Sequence, residues 1–470
     1  MYPARPFGRS RGRTASCPHL LVGGASPVRP ATPPPRPQPK EESRHMMNDE
    51  LHVVHARAAG LDVHKMEVTA TVRLCEGAGL PRFETRRFDA LGPGLAELSG
   101  WLVGHGVEAA AMESTGVYWE APWNALSAAG IEVQLLHAWH VKQLRGRKTD
   151  IGDSRWLARV CQLGLCQPSF VPPARFRELR PLARHRRSLA QQRRRTRNRA
   201  QKVIDRAGAR VGGVLSDAFG MNGRRILDGL AAGVAEEEIL ASLSHHVNGK
   251  RARIGEALSL PLNDTDRHLL ADLLDEDDRL DERIRKTDRL VAEALEPEGR
   301  QIELLMTVPG VDRVSARAIL AETGPDVARA FGSPTRFASW AGVSPGNDES
   351  AGRRRRAPAR AGSRTLRAVL VECANGAART RDCQFHSYAR ALKVRRGYGR
   401  AILAVANKLA RAIFAMLRDD RPYQDPETDY EALVVRRNAP RWIRQLRQFE
   451  IVKTREDGSL HLDWDALDSA

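Results

Sequence analysis

The sequence predicts a multidomain protein with an N-terminal α/β layer domain and mainly helical regions after it. The chain has 470 residues, which is enough for about two to four domains of about 100–200 residues each. Residues 51–170 carry β-branched runs that give way to segments of helical periodicity, as in strands followed by alternating helices and strands. Residues 171–418 carry apolar side chains at helical spacing. These observations favour an α/β layer fold joined to helical domains.

The first 50 residues are rich in Pro, Arg, Gly and Ser. A segment of this composition buries too little apolar surface to fold, so residues 1–50 are predicted to be a disordered basic extension. Met46 and Met47 stand just before the first periodic segment. An internal translation start at either methionine is a hypothesis that mass spectrometry of peptides from residues 2–40 would test.

Residues 51–170 are predicted to form the α/β domain. The expected strands cover residues 52–63, 67–74, 82–88, 107–112 and 131–136. The expected helices cover residues 95–104, 119–129 and 154–163. The first three strands follow one another directly, which indicates antiparallel pairing, and the later strands alternate with helices.

Residues 171–300 are predicted to be all-helical. The segment from Arg175 to Arg210 contains thirteen arginines and only two acids. Farther along, apolar residues recur at helical spacing with charged residues between them, which suits a coiled coil or a helical hairpin. These apolar residues are Leu269, Leu273, Leu280, Ile284 and Val291.

The C-terminal part of the chain is predicted to contain one more domain and a tail. Residues 301–418 carry apolar helices divided by Gly and Pro turns. Residues 419–470 are of mixed charge, and Asp457-Gly458 between two apolar segments indicates a small β-hairpin.

The charge of the chain points to a polyanionic partner. The formal net charge is +18, and its excess is dominated by Arg, which pairs well with phosphate. Nucleic acid is therefore the expected partner. An anionic membrane surface is the competing one, but no run of about 18 apolar residues is present to span a bilayer.

Six cysteines occur at positions 17, 75, 161, 166, 373 and 383. None forms a Cys-x-x-Cys pair or a zinc-binding spacing. We therefore expect reduced, buried thiols in a cytosolic protein.

Three short motifs carry acidic residues that could form one metal site. They are Gly60-Leu-Asp-Val-His-Lys, Met112-Glu-Ser-Thr-Gly-Val-Tyr and Lys148-Thr-Asp-Ile-Gly-Asp. Metal-assisted phosphoryl transfer needs several converging carboxylates, and Mg²⁺ prefers oxygen ligands. Asp62, Glu113, Asp150 and Asp153 are therefore the candidate ligands of Mg²⁺, with Mn²⁺ as a possible substitute.

Each acidic residue also has a structural alternative. Asp150 and Asp153 could cap the start of a helix, and Glu113 could cap the turn that follows it. Asp62 is harder to explain structurally, because it lies between two apolar residues of a predicted strand and a lone buried carboxylate is costly.

The chain resembles the DEDD insertion-sequence transposases of the IS110 group, which are RNA-guided DNA recombinases. The three acidic motifs carry the N-terminal part of the resemblance, which extends over about residues 55–415. It implies that residues 51–170 form a RuvC-like domain of the RNase H type and that the four acids bind Mg²⁺.

A second set of motifs resembles the C-terminal domain of the same family. It comprises Leu305-Met-Thr-Val-Pro-Gly-Val, Phe337-Ala-Ser-Trp-Ala-Gly-Val-Ser-Pro, Asp348-Glu-Ser-Ala-Gly and Gly362-Ser-Arg-Thr-Leu-Arg. By position the resemblance implies that Ser350 is the nucleophile. Ala351 follows Ser350 at a position where the family commonly has Gly or Ser, so this sequence departs from the family pattern there. Ser344 and Ser363 are the backup candidates for the nucleophile. A structural reading, a polar loop serine beside a solvated basic run, stays open.

Residues 304–322 are open to two interpretations. Pro309-Gly310 between two helical segments is typical of a helix-hairpin-helix, which directs backbone N–H groups at DNA phosphates. Asp312 stands where that motif usually has a second Gly, and a purely structural helical turn is the alternative.

Two groups of arginines are the predicted nucleic-acid contacts. Few aromatic residues accompany them, which favours contact with the phosphate backbone; a solvated helical face is the alternative. The candidates are Arg193, Arg194, Arg195, Arg197, Arg199, Arg353, Arg354 and Arg355.

The resemblance implies a transposase that cleaves, exchanges and rejoins DNA strands. It further implies a structured guide RNA and a homo-oligomer, dimer or tetramer, with active sites shared between subunits. Two alternatives remain: a metal-dependent nuclease of the Holliday-junction resolvase type, and an inactive nucleic-acid-binding copy. A sugar-kinase-like or actin-like ATPase would need Gly-rich phosphate loops, and the sequence contains none.

Overall fold

The structure of the chain is a computed structural model. It describes residues 53–75, 80–114, 116–137, 150–346, 349–350, 353–354, 359–360, 362–449, 451–455 and 457–462. The side chains at positions 150, 151, 349, 350, 353 and 354 are not among those described. The extension predicted over residues 1–50 lies outside the described residues.

A five-stranded mixed sheet forms the N-terminal unit. Its strands are β1 (Arg57–Val63), β2 (Glu67–Leu74), β3 (Arg82–Asp89), β4 (Ala109–Glu113) and β5 (Glu132–Leu136). Their order in the sheet is β3-β2-β1-β4-β5. The pairs among β1, β2 and β3 are antiparallel, whereas β1, β4 and β5 are parallel.

Three helices cover this sheet, and strand alternation divides its residues between two cores. The helices are α1 (Gly92–Gly104), α2 (Glu120–Ala128) and α3 (Asp150–Gln162). Leu61 and Met112 lie in the same apolar core as Leu98 of α1. Ala58 and Ala111 pack on the opposite face with α3, because successive side chains of a strand point to opposite faces.

The predicted strands and helices of this unit are confirmed, with three starts shifted by three or more residues. Helix α3 begins at Asp150, four residues earlier than expected. The first strand begins at Arg57 rather than at residue 52, since the backbone N–H groups of Val54 and His55 donate to the carbonyl of Gln162 at the end of α3. Helix α1 begins at Gly92, three residues earlier than expected, because Pro93 suits a first helical turn.

Two long helices dominate the middle of the chain, as the helical-hairpin interpretation predicts. They are α4 (Ala174–Arg206) and α9 (Asp264–Ala294), which pack against each other. Shorter helices between them close a further apolar core. These are α5 (Val211–Val214), α6 (Met221–Ala232), α7 (Glu236–Ser242), the 3₁₀ segment His245–Lys250 and α8 (Arg251–Leu258).

The buried seam of α9 differs from the predicted one at its start. Leu269 is 40% exposed, and its neighbour Leu270 is buried instead. The buried positions follow a heptad spacing that includes Asp266, Asp277 and Thr287. The prediction for Leu269 was wrong by one residue. The heptad pattern of buried positions becomes visible only when the polar residues Asp266, Asp277 and Thr287 are included, and these do not contribute to apolar periodicity.

The C-terminal part is mainly helical around one large apolar core. Its elements are the 3₁₀ segment Glu296–Glu298, α10 (Gly299–Met306), α11 (Arg313–Thr323), α12 (Val327–Phe331), α13 (Pro334–Trp340), β6 (Glu349–Ser350), β7 (Arg353–Arg354), α14 (Arg364–Ala377), α15 (Gln384–Arg396) and α16 (Tyr398–Asp419). Phe337, Phe385 and Phe414 are its largest fully buried side chains.

The tail contains a helix that the sequence did not predict. Helix α17 (Tyr430–Gln448) has no buried residue and includes Pro440, and a proline inside a segment argues against a helix. The predicted hairpin follows it as β8 (Val452–Thr454) and β9 (Leu460–Leu462). Gly458 adopts φ +80° between them, a backbone conformation that glycine accepts without strain.

The five described cysteines are free thiols, as predicted. Cys161 and Cys373 are buried, and the others are half-buried; Cys17 lies outside the described residues. Burial raises the pKa of Cys161 to about 12. Within the described ranges no helix is long and apolar enough to cross a membrane.

Candidate functional site

Asp62 and Glu113 lie at the same edge of the sheet. Asp62 is near the end of β1 and Glu113 is the last residue of β4. The two strands are parallel, with Leu61 opposite Met112, so the two acids occupy adjacent positions one residue farther along. Asp62 lies four residues after Ala58, and Glu113 lies two residues after Ala111, and both alanines pack with α3. Side chains an even number of residues apart on a strand point to the same face, so the two carboxylates lie on the α3 face.

Helix α3 approaches this edge at backbone contact. A Cβ atom built on Gly60 would come within 2.1 Å of the Ser154 carbonyl oxygen and 2.2 Å of the Ala158 nitrogen. The hydroxyls of Ser154 and Thr71 are hydrogen-bonded at 2.8 Å in the buried interface. Since Asp153 directly precedes Ser154, this docking holds the first turns of α3 over the face that carries Asp62.

The fourth predicted ligand is only partly described. Asp150 is the first residue of α3, but its side chain lies outside the described residues. Among the side chains that are described, no group of three or more His, Cys, Asp and Glu is arranged to hold a metal ion. The structure thus brings Asp62 and Glu113 to one edge of the sheet and packs the start of α3 against the same face.

Two neighbours of Asp62 were not predicted as site residues. His64 Nε2 lies 3.2 Å from Asp62 Oδ2, and its position two residues after Asp62 in the first motif was an available signal. Thr69 is directly opposite Asp62 in the β1–β2 register. Its buried hydroxyl has no hydrogen-bond partner in the described part of the chain, and only the strand register reveals it.

These residues fit a hydrated divalent cation. Carboxylate oxygens are the ligands that Mg²⁺ prefers, and Mg²⁺ usually keeps several of its waters. A buried hydroxyl without a partner is unfavourable in a folded protein unless a water or ion completes it. The orphaned Thr69 hydroxyl beside Asp62 therefore suits a water-bearing metal site.

Ser350 lies in a short β-hairpin. Strand β6 pairs antiparallel with β7, and Ser350 is opposite Arg353 in the register. Pro345 and Ala359 form a separate antiparallel bridge. The hairpin brings the backbone of the predicted nucleophile beside that of the basic run; Arg355 lies outside the described residues.

The two backup serines have structural partners. Asn407 Nδ2 donates to the Ser344 hydroxyl at 3.2 Å. The Ser363 hydroxyl accepts from the Leu366 N–H at 3.2 Å and caps α14, which is an ordinary role for serine at a helix start. Both residues are thus accounted for without a catalytic role.

The turn after α10 favours the structural interpretation over a DNA-binding hairpin. Gly310 adopts φ +82°, and a Cβ there would come within 2.3 Å of backbone atoms of Cys373 and Ala377 in α14. Asp312 caps α11 by accepting from the Ser315 N–H at 2.7 Å. The turn is therefore shaped by its packing on α14.

Most arginines in the first half of α4 hold the protein together. Arg184 Nε donates to the buried Glu322 at 2.7 Å, and Arg186 and Arg187 pair with Asp288 and Glu372. These ion pairs tie α4 to α9, α11 and α14.

Arg180 is the most buried member of this group. Its guanidinium lies 5.9 Å and 5.8 Å from the ring centroids of Phe170 and Trp340. Burial lowers the pKa of Arg180 to about 10, against the opposing charge of Glu322. Its environment indicates a structural role.

The five arginines predicted to bind nucleic acid fall into two groups. Arg193 and Arg197 both donate to the buried Asp277, at 3.0 Å and 2.8 Å. Burial alone would raise the pKa of Asp277, but the hydrogen bonds from both guanidiniums outweigh it and the pKa is lowered. These two arginines are neutralised inside the α4–α9 interface.

The remaining arginines of this set face solvent. Arg194 and Arg195 are exposed, and neither has an acidic partner within the described ranges. Arg199 lies 3.8 Å from Glu276, with both side chains largely exposed. The free cationic surface of α4 is therefore smaller than the sequence suggests.

Two family models match the chain in order. A DEDD transposase model of the IS110 type matches residues 59–208, which include all four acids. A model of the transposase IS116/IS110/IS902 family matches residues 302–390, which include Ser350.

A curated relative matches part of the chain. It is a "probable family 20 transposase" of Pseudomonas aeruginosa, 31% identical over 162 residues. The match covers 33% of this chain and 46% of the relative. The chain thus spans about half the length of the curated relative that it matches.

Proposed function

The chain belongs to the IS110-type transposases, and from that premise we propose that it cleaves, exchanges and rejoins DNA strands at a metal-dependent site. The observation that carries the proposal is the placement of Asp62 and Glu113 at adjacent ends of parallel strands beneath α3. Converging carboxylates at such an edge are what metal-assisted phosphoryl transfer requires.

The N-terminal unit is proposed to be an RNase H-like domain of the RuvC type. In support, three antiparallel strands are followed by two strands parallel to β1, in the order β3-β2-β1-β4-β5. Helices lie on both faces of this sheet. The proposed domains are residues 51–170, the helical region 171–300, the transposase domain 301–418 and the tail 419–470.

The proposed ligands of Mg²⁺, or of Mn²⁺ in its place, are Asp62, Glu113, Asp150 and Asp153. When bound, the ion would stabilise negative charge on the oxygens of the scissile phosphodiester. His64 would orient the Asp62 carboxylate through the 3.2 Å contact between His64 Nε2 and Asp62 Oδ2. The Thr69 hydroxyl would form a hydrogen bond with a metal-bound water.

Ser350 is the proposed nucleophile. Its hydroxyl oxygen would attack the phosphorus, form a Ser–O–P bond and release one DNA oxygen, which takes up a proton as the hydroxyl gives one up. A hydroxyl of the exchanged strand would then attack the phosphoserine and restore both the diester and the serine. Each step replaces one phosphate ester by another, so no external energy source is required. Arg353, Arg354 and Arg355 would offset the phosphate charge nearby.

The partners follow from the same premise. Donor and target DNA are the proposed substrates, and a structured RNA is the proposed guide, in the bacterial cytoplasm at the nucleoid. In a dimer or tetramer, each active site would be shared between two subunits. The acids of one chain would hold the metal ion at the phosphate that Ser350 of another chain attacks. The net charge of +18 supports binding to polyanions of this kind.

Trapping a covalent protein–DNA adduct tests the reaction. Wild-type protein with Mg²⁺ and its terminal DNA should give an adduct that survives denaturing electrophoresis. Ser350→Ala should lose the adduct yet still bind Mg²⁺, whereas Asp62→Asn should lose adduct and metal binding together. Ser344→Ala and Ser363→Ala are matched controls that should keep the adduct. DNA cleavage by Ser350→Ala would instead identify a metal-dependent nuclease.

Sequencing of RNA that copurifies with the protein tests the guide. A structured RNA transcribed beside the gene is the expected result. Copurified RNA drawn evenly from the whole transcriptome would contradict guidance while leaving the adduct experiment unaffected.

A further inference from the structure

Helix α17 (Tyr430–Gln448) carries a concentrated positive charge outside both segments matched by the family models. Its sequence contains five arginines and a single acid, Glu431. That acid is engaged, since Arg390 of α15 pairs with it at 3.2 Å. The five arginines are Arg436, Arg437, Arg441, Arg444 and Arg447.

The five arginines lie on one side of the helix. At about 100° per residue they fall within an arc of roughly 140°. Ala439 and Leu446 are half-buried and lie outside this arc. From Arg436 to Arg447 the arginine face is about 17 Å long.

None of these five guanidiniums has an ion pair or hydrogen bond in the described part of the chain, and all five side chains are exposed. Helix α4 is the internal comparison. It is also rich in arginine, but Arg186, Arg193 and Arg197 are paired with carboxylates of α9. Pairing is thus how this protein accommodates arginines that support its fold, and the α17 arginines do not follow that pattern.

The arrangement is unfavourable for α17 alone. Arg437 and Arg441 are four residues apart and Arg441 and Arg444 three apart, spacings at which like charges on a helix repel. Pro440 also removes one backbone hydrogen bond. A polyanion along the face would relieve the repulsion.

We propose that the arginine face of α17 binds the phosphate backbone of duplex DNA. Arginine is suited to bidentate contact with phosphate, and a rigid row of cations matches the regular charge spacing of a duplex. Trp442 is exposed, but it lies about 100° around the helix from Arg441 and outside the arginine arc. No aromatic side chain therefore lies on the arginine face itself to stack on unpaired bases, which disfavours single-stranded RNA. The proposal does not depend on catalysis at Asp62 or Ser350.

The salt dependence of binding tests the proposal in the full-length protein. Affinity for a short duplex of arbitrary sequence is measured over a series of salt concentrations. Each phosphate contact contributes about 0.9 to the slope of log affinity against log salt. Arg437→Gln with Arg444→Gln should therefore reduce the slope by about 1.8.

The matched control removes two exposed arginines from the acidic helix α9. Arg283→Gln with Arg289→Gln changes the net charge equally and should leave the slope unchanged. Arg437→Lys with Arg444→Lys should restore the wild-type slope. If the double glutamine variant does not fold, Arg441→Gln and Arg447→Gln alone should each reduce the slope by about 0.9.

Three results would overturn the proposal. One is an equal change in slope for the α17 and α9 pairs, since net charge alone would then explain it. Another is loss of binding to single-stranded RNA but not to duplex DNA. The third is a changed oligomeric mass with an unchanged slope, which would assign α17, with its exposed Val435 and Trp442, to a protein interface.

Discussion

Gly60 of β1 lies directly against the backbone of Ser154 in α3, so that a Cβ at position 60 would come within 2.1 Å of the Ser154 carbonyl oxygen. Only glycine permits this approach. The contact sets the distance of α3 from the sheet, and with it the position of Asp153 relative to Asp62.

Gly60→Ala is therefore expected to displace α3. Forcing a methyl group into a packed contact costs about 1–3 kcal/mol, and the melting temperature should fall accordingly. Mg²⁺ should stabilise the variant less than the wild type, since the acids would move apart. Gly100→Ala in α1 is the control, because a Cβ there meets nothing within 4 Å. An equal melting temperature for the two variants would contradict the packing argument.

Thr69→Val is expected to separate stability from metal binding. The substitution removes a buried hydroxyl that has no partner, so the metal-free protein should become more stable by about 1 kcal/mol. The increase in melting temperature caused by Mg²⁺ should shrink. In the control Thr71→Val, a hydroxyl bonded to Ser154 and Thr85 is lost, and stability should fall. Similar losses in both variants would disprove a special role for Thr69.

Asp277→Asn is expected to weaken the α4–α9 interface in a pH-dependent way. It removes the buried partner of Arg193 and Arg197, at a cost of roughly 3 kcal/mol at pH 7. The folded-state pKa of Asp277 is lowered, so its contribution is present above the unfolded pKa of about 3.9 and is lost as the pH falls through the folded value.

Urea denaturation at neutral and acidic pH measures this difference. The gap in unfolding free energy between wild type and Asp277→Asn should narrow below about pH 4. Asp278→Asn is the neighbouring control, since Asp278 is 60% exposed in its pair with Arg224 and such pairs contribute at most about 1 kcal/mol. A gap that stays constant with pH would argue against the ionised carboxylate.

Two pairs of α4 arginines are expected to behave in opposite ways. Arg193→Gln with Arg197→Gln should lower the melting temperature, because Asp277 would lose both cations. Arg194→Gln with Arg195→Gln should leave it unchanged and weaken nucleic-acid binding, since both residues are exposed. Thermal melting and fluorescence anisotropy measure the two effects. Equal losses of affinity in both pairs would show that charge alone matters.

Much of the fold and part of the candidate site could be predicted from the sequence by local rules. The five strands, the three helices over the sheet and the hairpin at Gly458 follow from side-chain periodicity and turn residues, which act over a few neighbours. The acidic motifs likewise pointed to Asp62 and Glu113, because strand ends and alternation are local features.

Local patterns failed where polar residues occupy apolar positions. Asp266 and Asp277 complete the buried seam of α9, and no periodicity of apolar residues shows that arginines of α4 satisfy them. Helix α17 was missed for a different reason, since Pro440 lies inside it and proline disfavours a helix interior.

The order of residues alone was thus enough to predict the strands and helices of the N-terminal sheet unit and the candidate acids. Tertiary structure alone separated structural arginines from free ones, placed the unpartnered Thr69 hydroxyl opposite Asp62, and gave Gly60 its role. Each of these depends on contact between segments far apart in the chain, and the energy of a charge or hydroxyl is determined by the partner it meets there rather than by its neighbours in sequence.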